Sequence, residues 1–324
     1  MTMTAIKDIG EQGLLKIVQS FCPASVVGDD GALVTVSPGH SLVVTTDVLV
    51  DNNHFSDRTT SPEDAGWRAA AANLSDLAAM GATPLGITVG LSLPGEVSLT
   101  WVEGLYRGLT RCLGTYKIPI IGGDIVSSPV ITISITALGQ VLPQKAIKRG
   151  GAKPAHVILI TGYHGLSRAG LQLLLNPDTE LQSGDRNLLV RAHQRPTPRL
   201  DLVPYLNRMN QPVGGMDSSD GLGDAIVQIC RSSGVGAIVH NIPLHPALLR
   251  YNSKETALQW ALYGGEDFQL VLALPETEAK ELLPYCGEGA AIIGRITEGA
   301  GVRLNTGEEL NLKAGFQHFG ATER

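Results

Sequence analysis

The chain has 324 residues, with 25 Lys plus Arg against 31 Asp plus Glu and a net charge of −6. That balance lacks the basic surface that draws a protein to nucleic acid or anionic lipid. With 43% hydrophobic and only 17% charged residues, the chain can bury a large core, and its length suggests two domains of about 150 residues each.

In chain order, Lys7, Asp8, Glu11 and Lys16 interrupt the first apolar segment, which argues against a secretory signal. Ser41 to Thr46 reads as a strand. Ser61-Pro62 opens a helix from Glu63 to Met80 that Gly81 closes. Thr88–Leu93 and Val130–Ala137 read as strands ending at Pro94 and Gly139. The basic, glycine-rich stretch from Lys148 to Pro154 marks a domain boundary, giving domains 1–148 and 149–324. Val157–Ile160 is the next strand. Leu222, Ala225, Ile226, Ile229 and Cys230 recur at helical spacing before Gly234. Without an internal repeat, this alternation predicts an α/β (α+β, two-domain) protein. No apolar run approaches the ~18 residues of a membrane helix. Cys22, Cys112, Cys230 and Cys286 are dispersed without C-x-x-C, which argues against a zinc knuckle or disulfide framework and fits a reducing cytoplasm.

The chemistry is signalled by acid placement. Carboxylates recur after apolar runs and beside glycine, where strand ends and turns are expected. They stand in Gly28-Asp29-Asp30-Gly31, Thr45-Thr46-Asp47, Gly122-Gly123-Asp124, Asp217-Ser218-Ser219-Asp220-Gly221 and Gly264-Gly265-Glu266-Asp267. Taken singly, each reads as a turn or cap residue, and Asp220 as the cap of the helix from Leu222. Asp76 is different, because a helix interior disfavours Asp. Two carboxylates ~4 Å apart repel by about 4 kcal/mol at an effective dielectric of 20, so acids that converge do so around cations. Oxygen donors without His or Cys favour Mg²⁺, which commonly shares its shell with phosphates. The familiar nucleotide signatures are nonetheless absent. There is no G-x-x-x-x-G-K-[ST], no G-x-G-x-x-G, no H-R-D or D-F-G set, and no G-x-S-x-G elbow.

Those segments, in order, resemble the bacterial thiamine-monophosphate kinase family, within the superfamily of aminoimidazole ribonucleotide synthetase and selenophosphate synthetase. Gly28-Asp29-Asp30-Gly31-Ala32, Thr45 to Val50, His54-Phe55, Asn73 to Ala82, Gly122-Gly123-Asp124, Asp217 to Leu222 and Gly264 to Phe268 carry the likeness through nearly the whole chain. It implies an N-terminal mixed sheet with helices, forming a barrel-like homodimer core, and a C-terminal α/β domain closing the cleft. The implied reaction is transfer of the ATP γ-phosphoryl group to thiamine monophosphate, giving thiamine diphosphate and ADP.

By the same resemblance, Asp30, Asp47, Asp76, Asp124 and Asp217 hold several Mg²⁺ ions, with Thr45 and Thr46 adding oxygens and Asp220 binding a further ion. Gly123, Asp124 and Ser219 meet ATP, as does Lys148 or Arg149. His54 and Glu266 contact thiamine monophosphate, and Phe316 or Phe319 covers the thiamine ring. Asp51 stands where the family has Glu, and Ala155-His156 where it has Gly-Asp. Because the acceptor is an ionised phosphate oxygen, direct transfer without a phospho-enzyme is expected.

Two other readings remain. One is another superfamily member, foremost aminoimidazole ribonucleotide synthetase. Selenophosphate synthetase fits less well, since the segment before Gly28 lacks that family's glycine-rich arrangement of a reactive Cys or selenocysteine with a Lys, and the hydrogenase-maturation relative ends in a Cys tail where this chain has Ala321-Thr322-Glu323-Arg324. The other is a non-catalytic divalent-metal-binding protein, for which no EF-hand pattern is present. The eight histidines show no H-x-x-x-H spacing. Trp67, Trp101 and Trp260 read as packing residues. Arg191 to Arg199, basic and held by prolines, reads as a helix end in preference to a phosphate-facing loop.

Overall fold

Local signals set the elements of the first compact unit, Met1–Pro143. Throughout the chain, the computed structural model describes residues 4–26, 30–210 and 213–310. After α1 (Ile6–Gln19), strand β1 (Ser41–Val50) leads into α2 (Pro62–Ala79). Ser61 Oγ caps α2 by accepting the Asp64 N–H at 3.2 Å, and Pro62 occupies the first turn, where no N–H is needed. β2 (Thr83–Leu93), α3 (Leu99–Tyr116) and β3 (Ile120–Ser127) form a parallel crossover, and β4 (Thr132–Val141) follows. The sheet order is β1-β4-β2-β3, with β4 antiparallel to both β1 and β2.

Burial alternates strictly along β4, and Ile133, Ile135 and Ala137 lie with Ile87, Val89 and Leu91 on the covered face. α2 covers that face with small residues: Ala69, Ala70, Ala71 and Ala78 flank Leu74 and Leu77. Smallness also lets α2 and α3 touch through backbone, since a Cβ at Gly66 would lie 2.0 Å from the Leu105 oxygen and one at Gly108 1.8 Å from the Glu63 oxygen. The opposite face of the sheet is open. Leu42, Val44 and Val48 of β1 are 47, 56 and 47% exposed, and Val126 of β3 is 49% exposed.

Three sequence expectations need correction here. β2 starts at Thr83, because Pro84 is absorbed at a register shift. β4 continues past Gly139, whose missing side chain makes room for Leu77. β3 is hidden by its glycines and β1 runs past Thr46 to Val50, so Asp124 and Asp47 lie within strands instead of at strand ends.

The second unit, Gln144–Arg324, comprises β5 (Val157–Ile160), α4 (Leu166–Leu175), α5 (Ser183–Gln194), α6 (Val203–Leu206), β6 (Gly214–Asp217), α7 (Leu222–Ser233), β7 (Gly236–Val239), α8 (Pro246–Tyr251), α9 (Lys254–Tyr263), β8 (Leu270–Leu274), α10 (Glu276–Cys286), β9 (Ala291–Thr297) and β10 (Val302–Leu304). Its sheet runs β10-β7-β9-β5-β8-β6, with only the β10–β7 pair parallel. Every residue of β5, β6 and β8 is buried, so these strands are covered on both faces. Leu222, Ala225, Ile226 and Ile229 of α7 pack in one core with Ile158, Val271 and Ile293. A second cluster, Ala169, Leu173, Leu189, Ala247, Leu248 and Ala257, joins α4, α5, α8 and α9. Among the described residues, no helix is long and apolar enough to cross a membrane.

Candidate active site

In the first unit the acids gather at two places. At the β1–α2 seam, Thr45 and Asp47 project from alternate positions of β1 toward Asn73 and Asp76, which sit three apart on α2. Thr45 Oγ1 donates to Asp76 Oδ2, and the Asp47 backbone N–H donates to Asn73 Oδ1 at 3.2 Å. The helix-interior Asp that propensity disfavours is thus tied to the neighbouring strand. Thr46 points the other way, with its hydroxyl 2.9 Å from that of Thr136.

The second place is a cleft of about 380 Å³ lined by Asp30, Gly122, Gly123 and Asp124, with Cys22 and Tyr106 among its walls. Asp124 pairs in register with Gly90 of β2, and its carboxylate accepts the Ile125 N–H at 2.9 Å. Gly123 is there for space: a Cβ on it would lie 2.1 Å from the Val89 oxygen. Among the described residues, no group of three or more His, Cys, Asp or Glu side chains is gathered at metal-binding distances. The structure places one pair of acids, Asp47 and Asp76, at the β1–α2 seam and another, Asp30 and Asp124, on the wall of the cleft. All the donors of these pairs are oxygens, which suits Mg²⁺ better than a soft metal.

His54 lies in a tight loop after β1. Its Nδ1 accepts the Val50 N–H at 3.1 Å, and the Asn52 N–H returns to the Phe55 oxygen at 2.8 Å. Phe55 is buried with its ring centroid 6.5 Å from that of Trp101. Arg68, buried on α2, donates to the His54 carbonyl at 3.3 Å. Arg68 and Asn73 carry no role in the sequence reading. The only available signal was their polarity at core-facing positions of an alanine-rich helix.

In the second unit two motif segments are laced together beyond the ends of β6 and β8. The Ser218 N–H donates to the Gln269 oxygen at 2.9 Å, and the Gln269 N–H donates to Ser218 Oγ at 3.2 Å. The Glu266 N–H donates to the Ser219 oxygen at 2.7 Å, while Ser219 Oγ donates to Asp217 Oδ1 at 3.1 Å. Asp217 is buried and Asp220 exposed. The cap position of α7 falls on Gly221, at φ 109°, so Asp220 is not the capping residue. Beneath the lacing, His164 is buried with Nε2 3.1 Å from Ser218 Oγ, and desolvation pushes its pKa down to about 4. Asp267 accepts the Gly165 and Ser167 N–H groups at 2.6 and 2.9 Å at the start of α4. Burial nevertheless pushes its carboxyl up to about 7.

Lys148 and Arg149 ride on the free edge of β6, where the Gly215 N–H donates to the Lys148 oxygen at 3.1 Å. Both side chains are exposed, and Arg149 Nη1 donates to Gln228 Oε1 at 3.1 Å. Arg199 is buried and braces Gln269 Oε1 at 2.9 Å and the Cys286 oxygen at 2.9 Å, which agrees with a structural reading of its basic stretch. Phe316 and Phe319, and with them the cover for the thiamine ring, lie outside the described residues, as do Gly28 and Asp29.

Known proteins place this arrangement. Residues 28–141 match the family model "AIR synthase related protein, N-terminal domain", and residues 153–306 match "AIR synthase related protein, C-terminal domain". A thiamine-monophosphate kinase of Synechococcus elongatus is 51% identical over 98% of this chain and 99% of its own length. The chain belongs to the thiamine-monophosphate kinase family. Among solved structures, a thiamine-monophosphate kinase from Stenotrophomonas maltophilia superposes with a TM-score of 0.81 at 32% identity, covering 91% of this chain and 96% of that one. AaThiL complexed with AMPPCP and TMP gives a TM-score of 0.77 at 32% identity, covering 96% of this chain and 98% of that one. The mixed α/β, two-domain fold expected of a thiamine-monophosphate kinase is the fold observed.

Proposed function

We infer that this chain transfers the γ-phosphoryl group of ATP to thiamine monophosphate, forming thiamine diphosphate and ADP. The observation that carries this reading is its end-to-end likeness to thiamine-monophosphate kinases, one of them solved with AMPPCP and TMP. Asp30, Asp47, Asp76, Asp124 and Asp217, with Thr45 and Thr46, are assigned to Mg²⁺, and Asp220 to a further ion. When bound, Mg²⁺ supplies neutralisation of the charge that two phosphorylated substrates bring together. Thr45 holds the Asp76 carboxylate toward β1, and Gly123 lets backbone approach the nucleotide phosphates. Ser219 and the exposed pair Lys148 and Arg149 serve ATP. His54, held from both sides by Val50 and Arg68, and Glu266 serve thiamine monophosphate.

The acceptor oxygen is ionised near neutral pH, so the protein needs no strong general base and transfer is direct. The open apolar face of the first sheet supports a homodimer, because a monomer would leave Leu42, Val44, Val48 and Val126 in water. Four free, dispersed cysteines support a reducing, cytoplasmic setting.

The test is mass-spectrometric detection of thiamine diphosphate from thiamine monophosphate and Mg-ATP, with Asp76→Asn as control. Wild-type protein should form product, and the variant should lose about 100-fold or more in kcat, the scale of a lost electrostatic contact to the reacting phosphates. Full activity in Asp76→Asn would remove that residue from the site, and product that never forms would remove the reading.

A further inference from the structure

The basic stretch from Arg191 to Arg199 has no part in the site as assigned, yet it delivers one buried side chain to it. α4 and α5 share the Ala169, Leu173 and Leu189 core, and they approach so closely that a Cβ at Gly170 would lie 2.1 Å from the Leu189 oxygen. His193, near the end of α5, is 2% exposed. Its Nδ1 lies 3.1 Å from Ser167 Oγ and 3.7 Å from Glu266 Oε2, the latter an ion-pair distance and not a hydrogen bond. Ser167 in turn donates its backbone N–H to Asp267. Contacts therefore run from Glu266 to His193, to Ser167, to Asp267, and close through the Glu266–Asp267 peptide.

The segment inside this circuit is strained. Glu266 sits at φ 59° and Phe268 at φ 50°, the left-handed region that non-glycine residues rarely adopt. Such residues persist where the surroundings over-determine them, and they cluster at working sites. Here the Ser219 carbonyl fixes the Glu266 amide, and the two backbone N–H groups at the start of α4 fix Asp267. Phe268 is buried at 6% exposure. The Glu266 carboxylate itself projects to a half-exposed position with the buried imidazole beside it. A long acidic side chain has several rotamers, and a fixed polar ring beside it favours one of them.

We propose that His193 is a positioning residue for Glu266, fixing the direction of its carboxylate and thereby the affinity for the thiamine-bearing substrate without touching it. The proposal rests on the assignment of Glu266 to thiamine monophosphate. Its effect falls on the thiamine-bearing substrate first, because His193 stands beside the Glu266 side chain.

The test is steady-state kinetics with both substrates varied, alongside thermal melting. His193→Phe keeps a ring and removes both nitrogens. It should raise KM for thiamine monophosphate about tenfold, the size of a lost polar contact to a charged group, with KM for ATP unchanged. His193→Asn places its amide where Nδ1 stands and should recover most of the affinity. Where His193→Phe does not fold, His193→Leu serves, since it fills the site without a nitrogen and should raise the same KM. Glu266→Gln should raise KM for thiamine monophosphate, and the double variant H193F/E266Q should be no worse than E266Q alone, as expected of residues acting through one another.

An unchanged KM in His193→Phe beside a raised one in Glu266→Gln overturns the proposal while leaving the site assignment standing. So do additive effects in the double variant, or equal rises for both substrates, which would mark a merely structural role. An unchanged KM in Glu266→Gln overturns the assignment of Glu266 itself.

Discussion

Replacing Gly123 by alanine tests whether β3 must lie tight against β2 for Asp124 to be in place. The new methyl would sit 2.1 Å from the Val89 oxygen and 3.0 Å from its carbonyl carbon, backbone atoms that cannot rotate aside. Restoring an ordinary contact of 3.4 Å requires β3 to withdraw by about 1.3 Å, and Asp124 moves with it. A displacement of about 1 Å in a group that places reactants costs on the order of 100-fold in rate. Overpacking of this kind also costs about 1–3 kcal/mol of stability, and each kcal/mol lowers the melting temperature by about 2–4 °C in a chain of this class. The neighbouring Gly122 supplies the control. A Cβ there meets only Thr88 Cγ2 at 3.7 Å, an ordinary contact. Gly122→Ala should therefore keep kcat/KM within about twofold, while Gly123→Ala loses about 100-fold. The assay is ADP formation dependent on thiamine monophosphate, run beside a thermal melt. Wild-type kcat/KM in Gly123→Ala, or equal losses in both variants, would refute the reasoning.

Two further outcomes follow from the same structure. The Asp267 carboxyl is held near 7 by burial against an ordinary 3.8, so the folded state binds more protons than the unfolded one between about pH 4 and pH 7. Its contribution to stability is present at low pH and is lost as pH rises through 7, by at most about 4 kcal/mol at 1.36 kcal/mol per pH unit. The wild type should lose melting temperature relative to Asp267→Asn between pH 4 and pH 8, and parallel curves would contradict this. Val44→Glu places a charge on the open face of the first sheet and should yield monomers in sedimentation velocity, whereas an unchanged dimer would show that this face is not the interface.

Helix α2 was legible almost to the residue, because Ser61, Pro62 and Gly81 are local signals that tertiary packing did not override. The same is true of β5, an unbroken apolar run, and of α7, which stops at Gly234. β3 was not legible, since two of its eight residues are glycines whose purpose, close approach to β2, depends on a partner strand distant in sequence. The acid motifs were found because carboxylates beside glycine stand out in any sequence. Their pairing was not, since Thr45 with Asp76 or Ser218 with Gln269 depends on strand register and helix rotation. The stretch around His193 does end a helix, but His193 is buried where a solvated face was expected, and nothing near it along the chain pointed to Glu266, 73 positions away.

The hydrogen bonds that join Ser218 with Gln269 and Ser219 with Glu266 make the two motif turns a single rigid piece. Neither turn can be remodelled alone: a backbone change that widens one drags the other out of alignment. With Glu266 proposed for the acceptor and Ser219 for the nucleotide, variants selected for a bulkier acceptor would then carry altered nucleotide handling as an inseparable side effect. New acceptor preferences would arise more readily from side chains projecting off this piece than from changes in its loop lengths.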